Sequence, residues 1–290
     1  MVGAHGRHFV VEVDNGSRLR CHRRGKKVDC VVGDRVAWSP SGDEGVIESV
    51  HERRNLLLRQ DRFRTKAFAA NLDRLLFLVA VQPMYAESQL ARALIAAAAA
   101  GIDAQVVLNK IDLPGAAEAR DRLLPYRRMG VAVHEVSLKG EGEAARRVLS
   151  PLLADKTTLL LGPSGMGKST LINLMVPGAE AQVGEISAAL NTGRHTTTTT
   201  SWYWLDAAHR TGLIDSPGFQ EYGLQQIAAT DLPHWMPDLG AHAASCRFTN
   251  CTHRQEPDCG VRAALERGEI AASRHRIYEE LYAELTAPRY

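Results

Sequence analysis

The order of three short motifs constrains this chain more than any other feature. Asn109-Lys110-Ile111-Asp112 comes first, Gly162-Pro163-Ser164-Gly165-Met166-Gly167-Lys168-Ser169-Thr170 follows, and Asp215-Ser216-Pro217-Gly218 comes last. Chains that assemble such motifs into one nucleotide site ordinarily carry the glycine-rich segment first. The order here is that of a circular permutation, which a fold tolerates when its original termini lie close together and the same strands and helices still pack.

The glycine-rich segment fits G-x-x-x-x-G-K-[ST]. It follows the apolar run Leu159 to Leu161 and opens a helix-like stretch, Ser169 to Met175, the flanks a phosphate loop requires. Glycines at 162, 165 and 167 let the backbone curl, so that N–H groups point at phosphate oxygens beside a helix N-terminus carrying partial positive charge. Lys168 is then expected on the β- and γ-phosphates and Ser169 on Mg²⁺.

The base is chosen elsewhere. In an N-K-x-D element the Asp112 carboxylate accepts from guanine N1–H and the 2-amino group, Asn109 faces the O6/N7 side, and the Lys110 stem covers the ring. Adenine leaves that carboxylate unpaired, a mismatch worth up to ~10⁴-fold. Asn-Lys and Asp-Leu-Pro are also ordinary turn material. Here the element closes the strand-like run Ala104 to Leu108, and Val136-Ser137-Leu138-Lys139 follows another apolar run, as a guanine-capping loop should.

Asp215 ends the apolar segment Leu213-Ile214, so its carboxylate is placed to hold a Mg²⁺-bound water while the Gly218 N–H faces the γ-phosphate, a nucleotide sensor. Between phosphate loop and sensor stand Gly193-Arg194-His195 and threonines 196 to 200. Thr196, Thr197 and Thr198 are candidates for the switch threonine on Mg²⁺, with the choice among them open. A threonine run is also simply β-prone. After Gly218 the chain has Phe219, whose apolar ring cannot polarise water. Catalysis must recruit another group or a partner's. His195 is the nearest candidate for positioning water, and is equally read as a surface histidine without a role.

Cys246-x4-Cys251-x-His253-x5-Cys259 sets three thiols and an imidazole in one turn-rich stretch, the ligand set of a closed tetrahedral structural zinc site with one Zn²⁺ per chain. Nucleotide chemistry implies a reducing cytoplasm, which disfavours disulfides, and no signal peptide or long apolar span is visible. Cys21 and Cys30 lie in strand-like segments and read as ordinary buried or half-buried residues.

The net charge of +2 hides an asymmetry. Residues 1 to 68 carry 14 Lys and Arg against 9 Asp and Glu, net +5, whereas the remainder carries 21 against 24, net −3. The basic segment reads as short strands, Phe9 to Val13, Arg18 to His22, Val31 to Trp38 and Gly45 to Val50, with a hairpin signal at Asn15-Gly16. An OB-fold barrel is the expectation. Arg18, Arg20, Arg23, Arg24, Lys26 and Lys27, followed by Arg53, Arg54, Arg59, Arg62, Arg64 and Lys66, form either a solvated face or an RNA-binding one, and the barrel context favours RNA. From Leu75 to Val81 the pattern becomes a continuous apolar strand, then an alanine-rich helix from Ser88 to Ala100 stopped by Gly101. Its repetition predicts an α/β domain over 69 to 228. The zinc segment and a helical cap, Arg262 to Leu285, complete a third domain over 229 to 290. No heptad run demands a second chain, so a monomer is expected.

These residues resemble the RsgA (YjeQ) family of circularly permuted bacterial GTPases, over nearly the whole chain. The likeness is carried by Lys66 to Asp73 at the domain junction, Asn109 to Asp112, Gly162 to Thr170, Gly193 to Thr198, Asp215 to Phe219, and Cys246, Cys251, His253 and Cys259. It implies an OB domain, a permuted GTPase domain and a zinc domain acting in late maturation of the small (30S) ribosomal subunit through its 16S rRNA, with hydrolysis of GTP to GDP stimulated by the subunit. Members also lack the glutamine, which fits Phe219, and some carry a longer basic N-terminal extension. The competing class is a nucleic-acid-binding protein whose nucleotide site is regulatory or vestigial. An ATP-dependent enzyme is excluded only if Asp112 reads the base.

Overall fold

The computed structural model describes residues 1–5, 8–25, 29–60, 65–176, 179, 200–216 and 224–287. Its framework is an eleven-stranded sheet. Along it the strands run β10 (Val133–Val136), β9 (Asp103–Asn109), β8 (Arg74–Ala80), β11 (Thr157–Leu161), β13 (Gly212–Asp215), β12 (Thr200–Trp204), β1 (Gly3–His5), β2 (His8–Glu12), β3 (Arg18–Arg23), β5 (Glu44–Val50) and β4 (Val36–Ser41). The first five are mutually parallel, and β12 returns antiparallel between β13 and β1.

The parallel half is an α/β domain. Every residue of β8 is buried, as a strand covered on both faces requires. Helices α1 (Glu87–Ala99), α2 (Ala116–Arg128), α3 (Gly142–Leu153) and α4 (Lys168–Met175) supply that cover. The first stops at Gly101, whose φ of +67° suits only glycine well.

The N-terminal half is a small barrel of OB type. Hairpins β2–β3 and β4–β5 are joined by a parallel β3–β5 pairing, so the chain crosses over between them. Phe9, Val11, Cys21, Cys30 and Ile47 form its own small core. The expected strand from Val31 to Trp38 instead begins at Val36. Gly33 turns the chain at φ +94°, and the Asp34 carboxylate accepts from the Val31 N–H at 2.8 Å, which diverts the backbone from pairing; only Val32 bridges to Ala69. A side chain at Gly33 would stand 2.0 Å from the Ala70 carbonyl oxygen.

A separate hairpin, β6 (Leu56–Gln60) and β7 (Thr65–Ala70), spans the expected barrel junction. Beyond it Asn71, at φ +57°, donates to the Gly33 carbonyl and accepts from the Arg54 N–H, while Asp73 accepts from the Thr157 N–H at 2.8 Å. The junction motif thus seats the barrel at the start of β11.

The C-terminal region is mainly helical. A 3-10 segment (Ala229–Trp235) leads to α5 (Pro237–Ala243), α6 (Gly260–Glu266) and α7 (Ala272–Thr286). The single cap expected from Arg262 to Leu285 is two helices, because Gly268 at φ +74° ends the first. Leu239, Val261, Ile277, Tyr278 and Leu281 belong to the same buried cluster as the α/β core. The contact is sealed by Arg274 on α7, 3% exposed, which pairs with Asp238 at 2.8 and 3.2 Å and lies 4.9 Å over the Tyr126 ring of α2. Tyr126 and Ser273 both donate to Glu87 of α1, at 3.1 and 3.0 Å. Removing one partner of a buried pair strands the other charge, so Asp238→Ala should cost about 3–5 kcal/mol in urea unfolding, whereas replacing both Asp238 and Arg274 by leucine and methionine should cost far less. Equal losses for the two variants would show that the ion pair itself is not what matters.

Candidate functional site

Three motifs meet at the carboxyl ends of parallel strands, where open α/β sheets bind ligands. Asn109 ends β9, Gly162 follows β11, and Asp215 ends β13, while β8 lies between β9 and β11. The phosphate loop has the expected glycine geometry, with φ of +142°, +79° and +109° at Gly162, Gly165 and Gly167. Any Cβ at Gly162 would come within 2.2 Å of the Leu78 carbonyl oxygen, and at Gly167 within 2.4 Å of Asn109 Nδ2. Only glycine lets the loop fit between these strands.

Lys168 opens α4 and donates to the Gly162 and Pro163 carbonyls at 2.7 and 3.0 Å. Burial pushes its ammonium below the usual lysine range, with Asp215 opposing. Asp215 is pushed the other way, up to about 6, by burial, with Lys168 drawing it back. Asp215 Oδ1 is buried and finds no hydrogen-bond partner among the described residues. A buried, unpartnered carboxylate oxygen beside a phosphate loop fits a divalent cation and its water. Ser216 fixes the start of the sensor by donating to Leu160 O at 3.0 Å. Ser169 and Thr170 lie in the first turn of α4, and Met166 is buried beneath the loop.

The base-reading loops lean on the phosphate loop directly. Asn109 Nδ2 donates to Met166 O at 2.8 Å, and its Oδ1 accepts from the Lys110 and Leu138 N–H groups at 2.8 and 3.1 Å. Most of the Asn109 carboxamide therefore binds loop to loop rather than being free for a base edge. Lys110, at φ +62°, stretches its ammonium to Gly165 O and Gln82 O at 2.9 and 2.6 Å. Ile111 donates to Val136 O. Ser137 donates to Asp112 Oδ1 and accepts from the Gly140 N–H at 3.2 Å. Gly140 escaped the sequence reading, although its position three residues after Ser137 is the signal: a Cβ there would stand 2.7 Å from Ser137 Oγ. Gly193, Arg194, His195, Thr196, Thr197, Thr198, Gly218 and Phe219 lie outside the described residues.

In the C-terminal region, Cys246, Cys251, His253 and Cys259 bring their ligand atoms within 4.8 Å of one another. Cys246 Sγ lies 3.8 Å from Cys259 Sγ and 3.4 Å from His253 Nδ1, which is 3.6 Å from Cys259 Sγ. Tetrahedral zinc with Zn–S near 2.3 Å would set sulfurs about 3.8 Å apart and sulfur from nitrogen about 3.5 Å apart. No disulfide joins the cysteines. Backbone N–H groups of Gly260 and Arg262 point at the Cys246 and Cys259 sulfurs, and His275 and Tyr278 of α7 donate to the His253 and Thr252 carbonyls at 3.0 and 2.8 Å. Such an outer layer holds ligands in place.

The family model described as RsgA GTPase matches residues 50–225. The chain belongs to the RsgA GTPase family. It is 58% identical to a "Small ribosomal subunit biogenesis GTPase RsgA" of Variovorax paradoxus, over 100% of this chain and 93% of that one, and 52% identical to its namesake in Burkholderia pseudomallei, over 98% and 91%. Among solved structures, YjeQ from Thermotoga maritima superposes with a TM-score of 0.74 at 30% identity, covering 99% of this chain and 98% of that one. The circularly permuted GTPase YloQ gives 0.68 at 27% identity, covering 100% and 95%. As an RsgA GTPase the chain is a GTP hydrolase with a barrel, a permuted α/β domain and a C-terminal helical region bearing a Cys₃His cluster. Among the described residues, no helix is long and apolar enough to cross a membrane.

Proposed function

We propose that this chain binds the small (30S) ribosomal subunit and acts in its late maturation, hydrolysing GTP to GDP and phosphate under stimulation by the subunit. The observation that carries the nucleotide half is the direct contact of base-reading and phosphate loops, Asn109 to Met166 and Lys110 to Gly165. The ribosomal half rests on the names of full-length relatives at more than half identity.

In this reading Asn109, Lys110, Ile111, Asp112, Ser137 and Leu138 hold guanine, and Gly162 to Thr170 hold the phosphates. Ser169 and one of Thr196, Thr197 and Thr198 ligate Mg²⁺, which when bound neutralises charge between the β- and γ-phosphates. Lys168 neutralises phosphate oxygens, Asp215 holds a water proton in place, and the Gly218 N–H senses the γ-phosphate. The water-positioning group is His195 or one supplied by the subunit. Cys246, Cys251, His253 and Cys259 hold one structural zinc, so metal analysis should return one zinc per chain.

The units are residues 1–68, which grip 16S rRNA, 69–228, which turn over GTP, and 229–290, which the sensor leads into. The protein works in the cytoplasm as a monomer. Ion pairs occupy part of the basic face, among them Arg20 with Glu44 and Arg24 with Glu48. Such exposed pairs contribute little to stability, so phosphates displace them at little cost.

The test is GTP turnover with and without purified small subunits. Free protein should turn over slowly, subunits should accelerate it, and the acceleration should fade as salt rises. Lys168→Ala should abolish both rates. Fast basal turnover that subunits leave unchanged would overturn the partner-completed site, whereas no multiple turnover with or without subunits would favour the other reading, a nucleic-acid-binding protein with a regulatory or vestigial nucleotide site.

A further inference from the structure

The seam between barrel and α/β domain is a strand pairing, and it falls beside the nucleotide site. Gly3 and Ala4 of β1 pair with Ser201 and Thr200 of β12. On its other edge β12 pairs with β13, and Ser201 stands opposite Asp215. In sequence β12 begins two residues after Thr198, the last of the candidate switch threonines. One strand therefore borders the sensor on one side and the barrel on the other.

Two barrel side chains hold that strand, Arg18 and, through more contacts, Glu12. The Glu12 side chain, 11% exposed, accepts from Trp204 Nε1 at 2.7 Å, meets Arg18 at 3.1 Å, and lies 3.2 Å from His209 Nδ1. Arg18 in turn donates to the Trp202 carbonyl at 3.2 Å. Trp204 stacks on His209, with ring centres 4.9 Å apart and planes 4° from parallel. Glu12 thus joins the β2–β3 hairpin, β12 and the β12–β13 turn. Nothing in the GTP site or the zinc cluster uses it.

A carboxylate so nearly buried costs free energy unless its partners stay in place. A shift of β12 would break its bonds to Trp204 and His209 or drag the hairpin along. Strain at the barrel and rearrangement near Asp215 are then two ends of one equilibrium, and coupling of that kind is reciprocal.

We infer that Glu12 is a positioning residue that couples the barrel to the nucleotide site through β12, so that it sets the stimulated but not the basal rate of GTP turnover. The inference rests on the subunit reading above for its kinetic arm and stands independently in its spectroscopic arm.

The test uses the full chain. Glu12→Ala should keep basal turnover, the KM for GTP and subunit affinity, yet lose stimulated kcat by at least about fivefold, the lower bound of ordinary allosteric coupling. Glu12→Gln keeps an acceptor for the Trp204 indole and should recover part of that loss. In the wild-type chain, the ¹⁵N-labelled Trp204 indole signal, assigned with Trp204→Phe, should shift between GDP and a non-hydrolysable GTP analogue. A wild type that subunits fail to stimulate would sink the subunit reading, and the indole signal would then decide the coupling alone. Full stimulation of Glu12→Ala, or an indole signal blind to the nucleotide, would overturn the inference. A general loss of GTP binding in both Glu12 variants would overturn it too, by making Glu12 a structural prop.

Discussion

Asp112→Asn is expected to lower GTP affinity by ~10³–10⁴-fold and to raise affinity for xanthosine triphosphate. The amide can donate to the xanthine 2-oxo group where the carboxylate accepted from the guanine 2-amino group. The exchange should be clean because Ser137, which donates to Asp112 Oδ1, can donate equally to an amide oxygen. Ser137→Ala should weaken guanine binding more modestly, about tenfold, by leaving Asp112 unanchored. Titration of both variants with GTP and xanthosine triphosphate decides the matter. Unchanged GTP affinity in Asp112→Asn would remove the assignment of this loop to the base.

Loss of the metal cluster should have the next largest effect, and its reach is set by packing rather than by the ligands. Structural zinc sites contribute on the order of 10 kcal/mol to folding. Cys259 is a ligand candidate, the N-cap of α6 and part of the main core. His275 and Tyr278 hang α7 on the backbone of the ligand loop. Cys259→Ala or prolonged chelation should therefore raise hydrogen exchange over residues 246–286 and, through Tyr126 and Glu87, in α1 and α2 as well. The barrel, with its separate core, should be unaffected. The shared core carries the loss beyond the ligand loop, while none of the guanine- or phosphate-loop candidates is a ligand candidate, so GTP should still bind. Exchange that rises only in 246–262 would show that α7 does not transmit the loss.

What was legible in the sequence is what chemistry fixes at short range. The candidate phosphate loop, the candidate guanine loop and the Cys₃His set each call for particular side chains a few residues apart, and the two loops meet while the four ligand atoms cluster. Long apolar or alanine-rich runs such as β8 and α1 were also readable, to within a residue or two. The missed elements are those whose reason lies far along the chain. β1 has three residues, too few to show a pattern, and besides β2 beside it in the chain it pairs with β12, nearly two hundred positions later. Arg274 reads as one more charge on a helix until Asp238 and Tyr126 surround it. Asn109 reads as a base contact, and its further work in joining two loops depends on the backbone of Met166 and Leu138, neither of which announces a polar role. Local breaks at Gly33 and Gly268 were hidden inside runs that otherwise kept their pattern.

The β1–β12 seam also sets a clock on synthesis. The barrel's own core is complete once residue 50 has emerged, but the outer edge of β1 has no partner until residues 200 to 204 arrive. At 5–20 residues per second that interval is roughly 8–30 s. Throughout it a nascent barrel displays an open strand edge, the feature most apt to capture a neighbouring chain. β1 is only three residues long, too short to make a lasting wrong pairing, and its brevity, which hid it from the sequence reading, protects the growing chain.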